Sequence, residues 1–189
     1  MKLSRTKFIT VNALLCAIVL LFILFPITIG TVQLAFIPLV AVIISAEFVG
    51  LKNGIFTGLF FGIVSLISAF IRPSLLYFAF QNPMVSVLPR ILIGIAAYFA
   101  TKGFRKLFPK LPEMISYGVG AFAGVVTNTI GVLGMILLWY YNTPLESVGT
   151  AITWEFISGI IVTNSLLEIL ICTVITPPIV FALRKAMRV

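Results

Sequence analysis

The chain of 189 residues contains no histidine and no aspartate. These absences exclude histidine-based zinc hydrolase motifs, Ser-His-Asp triads and paired aspartates. The glutamates are scattered, and no glycine-rich loop ends in Gly-Lys-Ser or Gly-Lys-Thr, so a P-loop nucleotide site is also excluded. The composition therefore predicts a protein that is not an enzyme, uses no cofactor and binds no metal.

Charge is also scarce, since 10% of the residues are charged and 61% are hydrophobic. Soluble domains carry about 25% charged residues, whereas the mean hydropathy of this chain is +1.21. The composition therefore predicts an integral membrane protein. The net charge of +8 is spread over short stretches beside apolar segments, which indicates contact with the lipid bilayer and no nucleic-acid partner.

Long apolar runs predict the membrane spans, because a transmembrane helix needs about 20 mostly apolar residues. Six runs cover residues 7–26, 33–50, 53–71, 84–103, 114–141 and 153–182. The second is the least regular, since Pro38 and Glu47 interrupt it. We expect an all-α membrane protein, a six-helix bundle formed as a single domain over residues 1–189.

The basic residues predict the orientation, because cytoplasmic loops are enriched in Lys and Arg. With six crossings, eleven of the thirteen fall on one side, namely Lys2, Arg5, Lys7, Lys52, Lys102, Arg105, Lys106, Lys110, Arg184, Lys185 and Arg188. We therefore expect both termini in the cytoplasm. The outer side receives the linkers 27–32, 72–83 and 142–152, and the other two basic residues, Arg72 and Arg90, lie toward it.

Small residues recur at four-residue spacing in two segments. One stripe consists of Gly54, Gly58 and Gly62, and the other of Ser116, Gly120, Gly124 and Asn128. Such stripes let helix backbones approach each other closely in lipid. We expect both to pack inside the bundle.

Polar side chains within the apolar segments are the sharpest functional signal, because an unpaired charge at the membrane centre costs about 2.5–3.5 kcal/mol. Arg90 lies about six residues, or about 9 Å, into the fourth segment. Asn128 lies in the fifth, and Asn164 and Glu168 share a face of the sixth at i and i+4. Two interpretations stay open. In one, Arg90 pairs with Glu168 or caps loop carbonyls and the amides tie helices together; in the other, these groups line a water-filled cavity that takes a polar ligand from outside.

The linker 72–83 is rich in aromatic residues and is bounded by Pro73 and Pro83, which break helices. It can lie flat at the interface as an aromatic anchor or fold over the cavity as a lid. Further aromatic residues at the same outer level form a membrane belt or stack on a ligand; they are Trp139, Tyr140, Tyr141 and Trp154.

Several segments carry a resemblance that covers nearly the whole chain. Residues 81–94 read Gln-Asn-Pro-Met-Val-Ser-Val-Leu-Pro-Arg-Ile-Leu-Ile-Gly, residues 127–129 read Thr-Asn-Thr, and Asn-Ser-Leu-Leu-Glu at 164–168 precedes Thr-Pro-Pro at 176–178. These segments, together with the chain length and the six apolar runs, resemble those of the substrate-binding S components of energy-coupling factor vitamin transporters. Ala13 and Ala17 also match the Ala-x-x-x-Ala pattern of that family's first helix.

The resemblance implies a bacterial cell-membrane protein that binds one vitamin on its extracellular side and delivers it with a membrane coupling subunit and two ATPases. The candidate substrate contacts, from the last three segments and the outer loops, are Arg90, Asn128, Asn164, Glu168, Tyr77, Asn82 and Trp154. The linker 72–83 becomes a gate with Arg72, Phe78 and Phe80 as its candidate residues. The docking face for the coupling subunit becomes Ala13 and Ala17.

Among S components, the Leu-Pro-Arg and Thr-Asn-Thr segments resemble the pantothenate-type members. Pantothenate carries one carboxylate, which an arginine can bind through two hydrogen bonds, and hydroxyl and amide groups that suit asparagine. S components for pyridoxine or hydroxymethylpyrimidine, folate or riboflavin are alternatives. Two further alternatives are a six-helix scaffold protein of the cell-elongation machinery, which needs no polar cavity, and a secondary carrier that works alone.

The charge distribution predicts a sidedness that can be measured. With Cys16 and Cys172 replaced by serine, Lys106→Cys should react with a membrane-impermeant maleimide only after the cells are permeabilised. Arg72→Cys should react in intact cells, because it lies on the outer side. Equal accessibility of both positions from outside would contradict this orientation.

Overall fold

A computed structural model describes residues 5–29, 32–34, 36–72, 76–145 and 150–187. Within these residues, five helical stretches are long and apolar enough to cross a membrane. They are Lys7–Leu24, Leu51–Ile71, Pro83–Leu107, Glu113–Tyr140 and Trp154–Met187. The chain is therefore a multi-pass, predominantly α-helical membrane protein.

The elements follow one another as α1 (Arg5–Leu24), β1 (Ile27–Ile29), β2 (Val32–Leu34), α2 (Phe36–Ile44), a first π turn (Ser45–Val49), α3 (Leu51–Ile71), α4 (Tyr77–Phe80), α5 (Pro83–Ser86), α6 (Leu88–Leu107), α7 (Glu113–Tyr140), β3 (Pro144–Leu145), β4 (Thr150–Ala151), α8 (Trp154–Ile160), a second π turn (Ile161–Ser165) and α9 (Leu166–Met187). Helix α6 packs against α3 and α7, and α7 packs against α9. Pro177 and Pro178 lie inside α9, which continues past them to Met187.

The second predicted segment, 33–50, differs from a full membrane span. It begins with strand β2, and its helical part covers Phe36–Val49. At 1.5 Å per residue this part is about 20 Å long, which is shorter than the hydrocarbon core of about 30 Å. The described residues thus contain five long spans and one shorter apolar helix, rather than six of one kind.

Two small hairpins occupy stretches predicted as outer linkers. β1 pairs with β2 in antiparallel fashion, with Ile27 opposite Leu34, and β3 pairs with β4, with Leu145 opposite Thr150. Such pairing satisfies backbone N–H and C=O groups that an irregular connection would leave without partners. The fold is therefore mainly α-helical with two short β-hairpins, and not all-α as expected.

The linker 72–83 also contains regular structure in its described part. Residues Tyr77–Phe80 form the one-turn helix α4, and α5 begins at Pro83. Val87 separates α5 from α6, whose first turn contains Pro89, a position where the missing N–H of proline does no harm. Arg90 is consequently the third residue of α6 and lies seven residues after the start of the span Pro83–Leu107, so only the break at Val87 differs from the single continuous helix that was expected.

The core consists of two hydrophobic clusters. The first joins α1, α2, α3, α6, α7 and α9, and the second joins the α4–α5 segment to α7, α8 and the hairpin between them. Helix α7 runs through both, contributing Tyr117, Ala121 and Val125 to the first and Val132, Leu133 and Ile136 to the second. The two clusters therefore follow one another along α7.

The glycine stripe of α3 lies against the start of α6, as expected for a packing face. A Cβ atom at Gly58 would lie 2.3 Å from the backbone oxygen of Arg90, and one at Gly62 would lie 2.7 Å from the Cα of Val87. Close backbone approach of this kind is how helices associate in lipid. The stripe thereby fixes where the backbone of Arg90 lies.

A buried polar cluster joins the first π turn to α6, α7 and α9. Thr101 Oγ1 donates a hydrogen bond of 2.7 Å to Glu47 Oε1, and Arg184 Nη2 donates one of 2.9 Å to the backbone oxygen of Glu47. The guanidinium of Arg184 also lies 5.4 Å from the ring centre of Tyr117. These contacts explain how the apolar segment that contains α2 accommodates a carboxylate.

Replacing Gly58 with alanine should destabilise the protein, because the added methyl group would overlap the carbonyl group of Arg90. Overpacking costs about 1–3 kcal/mol, so thermal unfolding in detergent should occur at a lower temperature. Gly134→Ala in α7 is the matched control, since nothing lies within 4 Å of a Cβ at that position and alanine favours a helix over glycine by about 1 kcal/mol. An equal loss of stability in both variants would argue against the close α3–α6 contact.

Candidate ligand-binding site

Arg90 is buried at the contact of α3, α6 and the linker, with 6% of its surface exposed. Its Nη1 donates a hydrogen bond of 2.8 Å to the backbone oxygen of Val85. The central carbon of its guanidinium lies 5.1 Å from the ring centre of Phe80 and 5.4 Å from that of Phe61. Cation–π contacts stabilise the charge and leave N–H groups free to donate.

Three side chains of the predicted site carry buried polar atoms without a hydrogen-bond partner among the described residues. These atoms are Arg90 Nε, Asn128 Oδ1 and Asn164 Oδ1. Buried polar atoms in native proteins are nearly always paired, and an unsatisfied one costs about 1–3 kcal/mol. One donor and two acceptors therefore indicate where a polar ligand can bind.

Along their own helices, the same residues lie between residues of the two hydrophobic clusters. In each segment of the sequence, one flanking residue belongs to the first cluster, and the flanking residue on the other side of the polar position belongs to the second cluster. The flanking pairs are Val85 and Ile93 around Arg90, Val125 and Val132 around Asn128, and Ile157 and Cys172 around Asn164 and Glu168. The polar residues thus form a layer between two apolar ones.

Asn128 lies on the face of α7 that meets α6. A Cβ atom at Gly124, one turn earlier, would lie 3.3 Å from Ile93, and one at Gly131, three residues later, would lie 3.0 Å from Pro89. Because residues spaced by three or four share a face of a helix, Asn128 lies opposite the first turn of α6, which carries Arg90.

Glu168 and Asn164 bring α9 and the second π turn to this layer. Glu168 is 4% exposed, and its carboxyl group lies within electrostatic range of the guanidinium of Arg90. Asn164 lies in the second π turn, a type of irregularity that is frequent at functional sites because it reorients side chains within a helix. A cation, a carboxyl group and two amides therefore contribute to one polar layer.

The gate candidates occupy different positions. Phe80 contacts the guanidinium of Arg90, and its backbone oxygen accepts a hydrogen bond from Ser86 Oγ. Phe78 packs edge-on against Tyr140 of α7, with ring centres 5.3 Å apart, and Arg72 is exposed near Phe25, 5.8 Å from its ring centre. The α4 turn therefore forms a wall of the polar layer through Phe80.

The other candidate substrate contacts lie outside the buried layer. Trp154 is 68% exposed and Tyr77 is 43% exposed. Asn82 caps α5 by accepting a 3.0 Å hydrogen bond from the backbone N of Met84. A direct role for these three in substrate contact stays a prediction.

Phe61 was missed by the sequence analysis, although it contributes directly to the environment of Arg90. It lies in α3 three residues after Gly58 and next to Gly62, so it belongs to the face that packs on α6. The glycine stripe identified that face, and an aromatic residue on it opposite a buried arginine was the available signal.

Fold and site together define a membrane-embedded ligand-binding protein whose polar layer is partly unsatisfied. A sequence profile of the substrate-specific component of ECF (energy-coupling factor) transporters matches residues 7–180. The chain therefore belongs to this family of transporter S components. The resemblance inferred from sequence is confirmed, as is the expectation that the protein is not an enzyme.

Two curated relatives extend along most of the chain. The pantothenic acid transporter PanT of Lactococcus lactis subsp. cremoris (strain MG1363) is 33% identical over an alignment of 162 positions, which covers 77% of this chain and 75% of the relative. The pantothenate transporter PanT of Leuconostoc mesenteroides subsp. mesenteroides is 28% identical over an alignment of 193 positions, which covers 88% of this chain and 87% of the relative.

Replacing Phe80 with leucine should lower the free energy of unfolding by about 0.5–2 kcal/mol, because one ring is removed from the buried guanidinium. In an Arg90→Met background the same replacement should have little further effect, and thermal unfolding of the four proteins measures this coupling. Phe78→Leu is the matched control, since its ring packs on Tyr140. If the Phe78→Leu replacement were coupled to Arg90 as strongly as Phe80→Leu is, the cation–π contact assigned to Phe80 would be contradicted.

Proposed function

We propose that this S component binds pantothenate from the extracellular side and delivers it to the cytoplasm together with a membrane coupling subunit and two ATPases. The family supplies the transport role, and both curated relatives are described as transporters of pantothenate. The observation that carries the proposal is the unpaired Nε of the buried Arg90.

The unpaired groups complement the chemistry of pantothenate. Its carboxylate would accept hydrogen bonds from the guanidinium edge that includes Nε, because Nη1 is already held by Val85. Arg90 lies in the first turn of α6, where the helix dipole also favours an anion. The Oδ1 atoms of Asn128 and Asn164 would accept from the hydroxyl and amide N–H groups of the ligand.

The number of buried cationic side chains also bears on the choice between vitamins. Among the described residues, Arg90 is the one buried arginine or lysine, and its guanidinium edge offers paired donors for one carboxylate. Folate carries two carboxylates, and riboflavin carries none and calls for aromatic stacking on both faces of its ring system. Family membership counts against a scaffold protein of the cell-elongation machinery.

The remaining features follow from the same proposal. Both termini lie in the cytoplasm, and the Phe36–Val49 helix counts as the sixth, shorter crossing of one domain over residues 1–189. The segment 72–83 acts as the gate, with Phe80 resting on Arg90 when the gate is closed. Ala13 and Ala17, which are exposed on α1, form part of the docking face for the coupling subunit.

Replacing Arg90 with alanine should weaken pantothenate binding by about 2 kcal/mol or more, or about 30-fold, measured by calorimetry on the purified protein. Arg90→Lys should recover part of the loss, because it keeps the charge but not the planar pair of donors. Panthenol, in which an alcohol replaces the carboxylate, should bind weakly and lose little in Arg90→Ala. Unchanged pantothenate affinity in Arg90→Ala would refute the role of Arg90, and no binding by the wild-type protein would refute the substrate.

A further inference from the structure

The buried cluster around Glu47 is a polar site separate from the layer around Arg90. Its α6 member, Thr101, follows Arg90 by eleven residues, which places it about 16 Å farther along the helix. Glu47 is 6% exposed, and the polar side chains that contact it come from α6 and α9. The cluster therefore has to satisfy its charges without the groups of the Arg90 layer.

Two hydrogen bonds and one close backbone contact fix the groups of this cluster. Thr101 Oγ1 donates to Glu47 Oε1, and Arg184 Nη2 donates to the backbone oxygen of Glu47. That oxygen lies in the last turn before α3, where helix carbonyl groups lack intrahelical donors. A Cβ atom at Gly120 of α7 would lie 2.1 Å from Glu47 Oε1, so the carboxyl group rests directly against the backbone of α7.

These contacts leave one acceptor and one donor unused. Glu47 Oε2 and Arg184 Nε are both buried, and neither has a hydrogen-bond partner among the described residues. The two atoms belong to groups that lie within electrostatic range of each other. Because buried polar atoms in native proteins are nearly always paired, a small species that serves both atoms is expected between them.

The pair of atoms selects the species by charge and by hydrogen bonding. A metal cation is disfavoured by the guanidinium, and an anion is disfavoured by the carboxylate. An ammonium ion can donate to Oε2 but cannot accept from Nε–H. A water molecule accepts one hydrogen bond and donates another, and buried waters typically bind groups that are otherwise unsatisfied.

We propose that an internal water molecule binds between Glu47 and Arg184, where it accepts a hydrogen bond from Nε–H and donates one to Oε2. The opposite charges are thus bridged by water instead of forming a direct ion pair. The water completes the connection between the end of α2 and α9. This site does not depend on which ligand binds in the layer around Arg90.

A crystal structure of the protein in a lipid mesophase, at a resolution that shows ordered water, tests the site directly. We expect a density peak about 2.5–3.2 Å from both Glu47 Oε2 and Arg184 Nε, which are hydrogen-bond distances. Direct contact between these two atoms, or the absence of a peak between them, would overturn the proposal.

Tyr117 provides a measurement in solution. It is 0% exposed, and its ring centre lies 5.4 Å from the central carbon of the Arg184 guanidinium. In brief X-ray exposure, hydroxyl radicals from the bound water should oxidise this ring, although bulk water cannot reach it. After rapid transfer into water enriched in oxygen-18, mass spectrometry should find oxygen-16 retained at Tyr117 longer than at exposed tyrosines such as Tyr141. Tyr117 that remains unoxidised, or that gains oxygen-18 as fast as Tyr141, would overturn the proposal.

Replacing both unpaired groups should remove the water. The double variant Glu47→Met/Arg184→Met puts apolar chains in their place, a change that buried charge pairs often tolerate, and oxidation of Tyr117 should fall several-fold. Thr101→Val is the matched control, because it removes the hydrogen bond to Oε1 and keeps Oε2 and Nε. Undiminished oxidation in the double variant, or an equal loss in Thr101→Val, would contradict the assignment of these two atoms, and the wild-type measurements test the site even if the double variant does not fold.

Discussion

The structure depends on the burial of one guanidinium between two hydrophobic clusters. A cation at this position needs compensation, because it is buried among apolar residues. The backbone oxygen of Val85 and the rings of Phe61 and Phe80 supply part of it, and the charge of Glu168 supplies more. The α3 glycine stripe is needed for the same reason, since it brings Phe61 and the start of α6 together.

The buried polar clusters around Glu47 and Arg90 differ in what they leave unsatisfied. Around Glu47, the unpaired atoms are Glu47 Oε2 and Arg184 Nε, which belong to groups of opposite charge that act on each other. That cluster can balance its charge internally and joins four elements of the fold. Around Arg90, the unpaired Oδ1 atoms of Asn128 and Asn164 are neutral acceptors, which a ligand with hydroxyl and amide donors can satisfy.

Much of the candidate site was predictable because polar residues are rare in apolar segments. Arg90, Asn128, Asn164 and Glu168 stood out for that reason, and the structure places all four between the two clusters. Phe61 was not predicted, because one phenylalanine in an apolar helix cannot be distinguished from its neighbours without the helix that packs on it. The exposure of Trp154 and the capping role of Asn82 likewise depend on how the outer segments fold.

The sequence by itself determined the membrane environment, the long spans and the chemical type of each buried polar group, because these follow from composition and from the spacing of residues along a helix. The tertiary structure alone decided that α2 is shorter than a span, that two linkers form hairpins and that a break at Val87 puts Arg90 in the first turn of α6. It also decided which polar atoms are left unpaired, since a hydrogen bond depends on distance and direction between elements remote in sequence. For that reason the residue types predicted a buried polar site, whereas the arrangement that would hold a ligand required the packing of α3, α6, α7 and α9.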